Sequence, residues 1–150
     1  MLDGYIDDLE TGDVFRPIEY ELTELIVTAY AHGVEELSEY FHSVNNRYGK
    51  LVRPPTLIHT ERMRILEVNC TKEKRLSGQA APDWRIHYEY HAENLSPAFV
   101  GERLVVTGMV PEVLIKRGRR INRYELFVQT ADGRPVTRYR EQMIMRYTPT

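Results

Sequence analysis

The order of predicted elements places this chain in the α+β class, as a curved antiparallel sheet wrapped around one central helix. Apolar residues follow helical spacing in the first half of the chain, whereas apolar and polar residues alternate in the second half. An Asp-Gly pair at 132–133 is typical of the tight turns that join antiparallel strands. An antiparallel sheet leaves one apolar face to cover, and a single long helix can cover it.

The size and charge of the chain predict one globular domain, residues 1–150, with residues 1–8 as a loose lead-in. The formal net charge of -2 provides no overall basic field for nucleic acid or an anionic membrane surface. A single cysteine excludes an intramolecular disulfide and a Cys-based zinc site. The acidic first residues lack the basic segment of a secretory signal, and no apolar run reaches the ~20 residues of a membrane span. We therefore expect a cytoplasmic protein with no membrane partner.

The first half of the chain is predicted to form a strand and two helices. Residues 14–22 indicate a short strand, and Thr23 suits the N-cap of a helix that Gly33 ends. Residues 35–53 show no clean period and are expected to be irregular. Pro-Pro-Thr then begins a second helix that runs to about residue 69, because the missing N–H of proline costs nothing in a first turn.

The second half is predicted to form four strands. Alternation over residues 84–91 places Trp84, Ile86, Tyr88 and Tyr90 on one face. His87 and His91 are then expected on the opposite face, exposed to solvent. The later strands are predicted at 104–115, 121–130 and 136–147, with a basic hairpin turn at 116–120.

Three blocks of this sequence resemble the MaoC-like acyl dehydratases and (R)-specific enoyl-CoA hydratases, a family with the hotdog fold. The first is Leu9 to Tyr30, in which Gly-Asp-Val-Phe leads into a short strand and a helix. The second is Arg47-Tyr-Gly-Lys-Leu-Val-Arg-Pro-Pro-Thr-Leu57, which is similar to the family's approach to its central helix. The third is Tyr90 to Leu104, followed by Gly108, the basic turn and the Asp-Gly pair.

The resemblance implies a reaction and the parts that perform it. Such proteins add water to a trans-2-enoyl thioester, or remove it from the (R)-3-hydroxy form, on coenzyme A or acyl carrier protein. An Asp and a His five residues later handle the protons, and N–H groups at the start of the central helix hold the thioester oxygen. The resemblance implies no cofactor, and it implies a homodimer or higher oligomer that covers the strand edges.

The family's two catalytic positions hold other residues here. Counting back from Pro54-Pro55 places the Asp position at Val34, which cannot act as a base, and the His position at Glu39. The nearest replacements, which we take as candidate catalytic residues, are Glu35, Glu36 and His42. The alternative is that these side chains form a solvated face on a fraying helix.

Candidate substrate-binding residues lie in the irregular segment, at the helix start and in the basic turn. They are Tyr40, Thr56, Leu57, Arg117, Arg119 and Arg120. Pro55 has no N–H, so the next two N–H groups are the expected donors to a thioester oxygen. Arginine suits the phosphates of coenzyme A or an acidic carrier protein. The alternatives are that Pro-Pro-Thr only begins a helix, without a ligand, and that the basic turn is a solvated hairpin tip.

Other functions stay open at this point. The missing dyad favours a non-catalytic subunit or scaffold of a heteromeric dehydratase. A hotdog thioesterase needs an acidic residue on or beside the central helix, and Glu61 is the only one early in it. The five histidines lack the spacing of a metal site, so we predict no metal, and the basic cluster is too short for nucleic acid.

Overall fold

The computed structural model describes residues 6–70 and 84–147. Within these ranges the chain forms five strands and three α-helices, with single turns of 3-10 helix at Ile6–Asp8 and Pro55–Leu57. In chain order the elements are β1 (Ile18–Glu21), α1 (Glu24–Gly33), α2 (Glu39–His42), α3 (Ile58–Asn69), β2 (Trp84–Asn94), β3 (Arg103–Lys116), β4 (Arg119–Thr130) and β5 (Pro135–Tyr147). None of the helices in the described ranges has the length and apolar character needed to cross a membrane.

The five strands form one antiparallel sheet in the order β1-β3-β4-β5-β2. The turn between β3 and β4 has positive φ at both Arg117 (52°) and Gly118 (73°), as the tightest hairpin turns require. Gly133, with φ of 93°, makes the turn into β5. The predicted α+β hotdog arrangement is confirmed.

Helix α3 packs on the sheet and closes the hydrophobic core. Its apolar face buries Ile58, Ile65 and Leu66 in the same core as Leu104 and Val128 of the sheet. Each such side chain stabilises the fold by about 1.5–3 kcal/mol when fully buried. The predicted helix start is confirmed, since the 3-10 turn that begins at Pro55 leads directly into α3.

The first helix begins and ends where the sequence predicts. The Thr23 Oγ1 accepts a hydrogen bond from the Ile26 N–H at 3.2 Å, and α1 ends at Gly33. The strand predicted at 14–22 is shorter, because Pro17 has no N–H to donate to a ladder. Only β1 pairs regularly, while Val14 makes an isolated bridge.

Residues 9–13, which follow the predicted lead-in, are attached to the sheet. Leu9 is buried, and the Gly12 N–H donates to the Val110 carbonyl at 2.8 Å. The Val110 N–H donates in return to the Asp13 carbonyl at 2.8 Å. Of the predicted loose residues 1–8, the first five lie outside the described residues, and Ile6–Asp8 form a 3-10 turn.

Strand β2 breaks the predicted alternation. Its pairing with β5 shifts register between Trp84 and Ile86 and again between His87 and Glu89. A bulge inserts a residue, so positions on its two sides exchange faces. His87 and Tyr90 therefore lie on the same side of the strand, with ring centroids 5.4 Å apart, and the prediction of opposite faces is wrong for this pair.

Candidate functional site

The predicted irregular stretch, residues 35–53, forms an overhang between α1 and the start of α3. Its one short helix, α2, has no buried residue. A hydrogen bond from the Val52 N–H to the Tyr40 carbonyl, 2.8 Å long, ties α2 to the chain that approaches α3. The overhang is thus attached to the start of the central helix through its backbone.

Within the overhang the chain brings Glu36 and His42 together. The His42 Nε2 lies 2.7 Å from the main-chain carbonyl oxygen of Glu36, which fixes the ring with this nitrogen as the donor. The Glu36 carboxylate instead accepts a hydrogen bond from the Ser38 N–H at 2.9 Å. Glu35 is exposed, with a positive φ of 57°. The imidazole is therefore oriented by a neutral carbonyl and not by a carboxylate.

Tyr40 belongs to a row of aromatic rings. Its ring centroid lies 6.0 Å from that of Tyr48, which in turn meets the edge of Phe99 at 5.3 Å. The Arg47 guanidinium lies 4.7 Å from the centroid of the Tyr48 ring. These contacts pack the overhang against the chain that follows β2.

At the start of α3 the two predicted N–H donors differ. The Leu57 N–H donates to the Pro54 carbonyl at 3.0 Å, and the Leu57 side chain is buried in the core. The prediction that Leu57 offers an unpaired N–H is corrected, because the 3-10 turn uses that donor. Thr56 is exposed, and among the described residues its N–H and hydroxyl have no hydrogen-bond partner.

A buried ion pair lies beneath this helix start. The Arg53 guanidinium binds both oxygens of the Glu61 carboxylate, with Nε to Oε1 at 3.0 Å. The Tyr20 hydroxyl donates to the same carboxylate, and Arg53 also donates to the Thr137 hydroxyl at 3.2 Å. We call these residues the Glu61 cluster. Burial and the Glu61 charge hold the pKa of Tyr20 far above its usual value of 10.

The contacts of Glu61 argue against the thioesterase alternative. Its carboxylate is almost completely buried and is held by a bidentate guanidinium and a phenol. Such a saturated carboxylate serves the packing of α3 and has no access to a substrate.

A second buried carboxylate, Glu141 of β5, receives hydrogen bonds from Arg62 and Tyr139 and lies close to His87. The Arg62 Nε lies 2.7 and 2.9 Å from its two oxygens, and the Tyr139 hydroxyl donates to Oε2 at 2.7 Å. The His87 Nε2 lies 3.2 Å from the same Oε2. The Glu141 side chain is fully buried, whereas the imidazole of His87 is 34% exposed. Together with His59 and Tyr90, these residues form what we call the Glu141 cluster.

His59 connects the Glu141 cluster with the start of α3. It lies one turn beyond Thr56 and meets its neighbours edge to face. Its ring centroid lies 4.9 Å from that of Tyr90, 5.7 Å from that of Tyr139 and 5.9 Å from that of His87. Burial lowers the pKa of His59, the charges of His87 and Arg62 lower it further, and Glu141 opposes them. His59 is therefore neutral at pH 7.

The basic turn predicted to bind phosphates is placed between β3 and β4. Arg117 occupies the turn, and Arg119 opens β4. Arg120 is already engaged, since its guanidinium donates to the Leu9 carbonyl and, through Nε, to the Asn122 side chain at 3.2 Å. Arg120 thereby fastens the lead-in to the sheet.

Within one protomer the basic turn lies far from the start of α3. Arg53, next to that start, contacts Thr137, and Thr137 pairs with Val128. Val128 lies nine residues from Arg119 along β4, or roughly 30 Å at the usual rise per residue. The two sets of predicted substrate-binding residues thus occupy opposite ends of the sheet.

Arg62, Tyr139 and Glu141 were not among the site residues predicted from the sequence. A usable signal was present in β5, where Glu141 stands at an inward position of an alternating strand, between Tyr139 and Met143. A charged side chain at a core position needs a partner, so it marks a polar cluster.

Several solved structures share this fold. No family model and no curated protein matches this chain. A monoamine oxidase regulatory protein from Archaeoglobus fulgidus superposes with a TM-score of 0.72 at 16% identity, over 99% of this chain and 98% of that one. A MaoC-like dehydratase from Rhodospirillum rubrum gives 0.68 at 18% identity, over 97% and 99% of the two chains. The HadBC (3R-hydroxyacyl-ACP dehydratase) complex from Mycobacterium tuberculosis gives 0.71 at 16% identity, over 90% and 96%. This chain has the hotdog fold of the MaoC-like dehydratases.

Proposed function

We propose that this protein binds acyl thioesters of coenzyme A or acyl carrier protein at the start of α3, as a hydratase- or dehydratase-like hotdog protein. The observation that carries the proposal is Thr56. It stands at the start of the central helix with its N–H and hydroxyl unpartnered among the described residues, in a fold shared over 90–97% of the chain with structures named as dehydratases. Donors at a helix start stabilise the negative charge that a thioester oxygen gains during reaction.

In the hydratase form of this proposal the overhang supplies the proton chemistry. His42 would activate water, Glu35 or Glu36 would assist it, and Tyr40 would hydrogen-bond the substrate. The His42 ring, however, is held by a main-chain carbonyl and has no carboxylate beside it to stabilise an imidazolium. Thioester binding is therefore the primary function that we propose, and hydration is secondary.

The basic turn fits this proposal through oligomerisation. Because Arg117 and Arg119 lie far from Thr56 in one protomer, they would bind the phosphates of a thioester held by another protomer, while Arg120, bound to Leu9 and Asn122, holds the turn in place. This requires the homodimer or higher oligomer that the open edge of β2 favours.

Binding of saturated acyl-CoA esters, measured by titration calorimetry across chain lengths, tests the primary function. We expect Thr56→Val to weaken binding by roughly 2–12-fold, which corresponds to the loss of one hydrogen bond. Thr60→Val, an exposed threonine of the same helix, is the matched control and should leave the dissociation constant unchanged. Failure of the wild type to bind any acyl-CoA or acyl carrier protein would contradict the proposal.

Hydration is tested separately by the loss of enoyl absorbance with crotonyl-CoA and longer enoyl-CoAs. If the overhang supplies the base, His42→Ala lowers kcat by about 100-fold or more, whereas His32→Ala at the exposed end of α1 does not. If no enoyl-CoA of any chain length is turned over, the hydratase form of the proposal is excluded. The calorimetry then decides whether the protein binds thioesters.

A second candidate function is a non-catalytic subunit of a heteromeric dehydratase. Val34 and Glu39 at the family's catalytic positions favour it, as does the contact of His42 with a carbonyl in place of a carboxylate. Affinity purification from the native host, with identification of co-purifying proteins, tests it. A strictly homomeric protein with its own turnover would exclude this function.

A further inference from the structure

The Glu141 cluster combines a fully buried carboxylate with an imidazole that reaches solvent. Arg62 and Tyr139 donate hydrogen bonds to the Glu141 carboxylate, and the His87 Nε2 lies 3.2 Å from the same carboxylate. The hydrogen-bond partner of Nε2 is the Tyr139 hydroxyl at 3.3 Å, which gives its own proton to Glu141. Nε2–H is therefore the donor to that hydroxyl, and in the neutral ring the lone pair is on Nδ1. Among the described residues this Nδ1 has no hydrogen-bond partner. A ring with one nitrogen held beside a buried phenol and carboxylate and the other unpaired has the arrangement of a general base.

We propose that His87, oriented by Tyr139 and Glu141, is a proton-transferring catalytic residue and that it, in place of His42, is the base of the hydratase form. The identity of its substrate, an enoyl thioester held at Thr56, rests on the function proposed above. Glu141 is a positioning residue that contacts the imidazole and not the substrate.

The placement of His59 connects the two parts of this site. Thr56 and His59 are three residues apart at the start of α3, so their side chains share a face with roughly 5–6 Å between Cβ atoms. The ring of His59 then lies 5.9 Å from that of His87. His59 is therefore the neighbour of both Thr56 and the proposed base, and the Tyr90 ring contacts both imidazoles.

Titratable groups from three elements surround His87. Among the described residues, the titratable groups that face it are His59 and Arg62 from α3, Tyr139 and Glu141 from β5, and Tyr90 from β2. The charges of Arg62 and Glu141 cancel, and the neutral His59 adds no repulsion. Burial and Glu141 hold the pKa of Tyr139 far above 10, so its phenol remains a donor to the carboxylate.

The proposed step adds one water molecule across the substrate double bond. The His87 Nδ1 takes a proton from water while the water oxygen bonds to C3 of the enoyl thioester. The electron pair of the C2–C3 π bond moves through C2 onto the thioester oxygen, which Thr56 holds. The proton on Nδ1 then passes to C2, and the carbonyl is restored. Glu141 stabilises the transient imidazolium without taking the proton.

Four variants test the proposal with enoyl-CoA turnover and saturated acyl-CoA binding measured side by side. His87→Gln keeps a donor beside Tyr139 and Glu141 and removes the base, so we expect kcat to fall about 100-fold or more while the dissociation constant changes less than threefold. His91→Gln, an exposed histidine of the same strand, should keep wild-type kcat. His42→Gln separates this base from the one in the overhang. Glu141→Gln should lower kcat, and ¹⁵N shifts should show that His87 is no longer held as the Nε2–H tautomer; circular dichroism checks that each variant is folded.

The possible outcomes separate this proposal from the proposed function. If the wild type binds acyl-CoA and turns over enoyl-CoA but only His42→Gln abolishes turnover, the role of His87 is overturned and thioester binding stands. If the wild type binds but does not turn over any enoyl-CoA, His87 is not a catalytic base for this substrate. If His87 in the wild type is the Nδ1–H tautomer, the orientation by Tyr139 and Glu141 is wrong whatever the binding result.

Discussion

Glu61 and Glu141 are two buried carboxylates with nearly the same partners and different surroundings. Each receives an arginine and a tyrosine hydroxyl. In the Glu61 cluster the arginine is also buried, with 2% of its side chain exposed, and it reaches a buried threonine. In the Glu141 cluster a further partner, His87, is one third exposed. We call the Glu61 cluster closed, because its ion pair is shielded from solvent, and the Glu141 cluster open, because its imidazole reaches solvent.

The two clusters anchor opposite sides of α3. Glu61 and Arg62 are neighbours in sequence, so they point about 100° apart around the helix. Glu61 turns toward Tyr20 of β1, at one edge of the sheet, and Arg62 toward Glu141 of β5, near the other edge. The closed cluster therefore fixes the helix start, while the open cluster offers an imidazole beside it. We infer that the Glu61 cluster stabilises the fold and that the Glu141 cluster takes part in the reaction.

The largest effect that tests this contrast comes from breaking the closed pair. Arg53→Met leaves the Glu61 carboxylate buried without its cation, so we expect the free energy of unfolding to fall by about 3–5 kcal/mol in urea denaturation. Arg103→Met removes an exposed ion pair with Glu19 and serves as the control, with an expected loss below about 1 kcal/mol. Equal losses in the two variants would mean that the Glu61 cluster is not a buried anchor.

Breaking the open pair should cost less. Arg62→Met also removes a cation from a buried carboxylate, but Tyr139 still donates to Glu141 and the His87 Nε2 lies 3.2 Å from it. We expect a loss of about 1–3 kcal/mol, measured in the same urea experiment. A loss as large as that of Arg53→Met would show that the imidazole does not compensate and that the two clusters are energetically alike.

Features set by local chemistry were predictable from the sequence. The Thr23 cap and the proline start of α3 depend on residues within one helical turn, and both were found where expected. The faces of β2 were not predictable, because its bulges arise from pairing with β5, some 50 residues later in the chain. Alternation alone assumes a regular partner strand.

The candidate site shows the same limit. The overhang residues follow from counting along the chain, and the structure brings Glu36 and His42 together, although through a carbonyl. The contact of Arg62 with Glu141 joins residues 79 positions apart, so no local pattern reports it. The sequence does contain a charged residue, Glu141, at an inward position of β5. This position indicates that a buried partner exists but not which residue it is.

The smallest effect separates the clusters by pH, since only the open one contains histidines. Burial and the nearby charges of His87 and Arg62 place the pKa of His59 below its ordinary value of 6.5 in the folded state. As the pH falls below 6.5, His59 is therefore protonated in the unfolded chain before it is protonated in the folded protein. The contribution of His59 to stability, complete above pH 6.5, is lost as the pH falls toward its folded-state pKa. We expect His59→Gln to flatten the decline of the urea midpoint between pH 6.5 and about 5, above the range where carboxylates titrate. His32→Gln, at the exposed end of α1, should retain the wild-type slope; if it flattens the curve equally, the pH dependence does not arise in the open cluster.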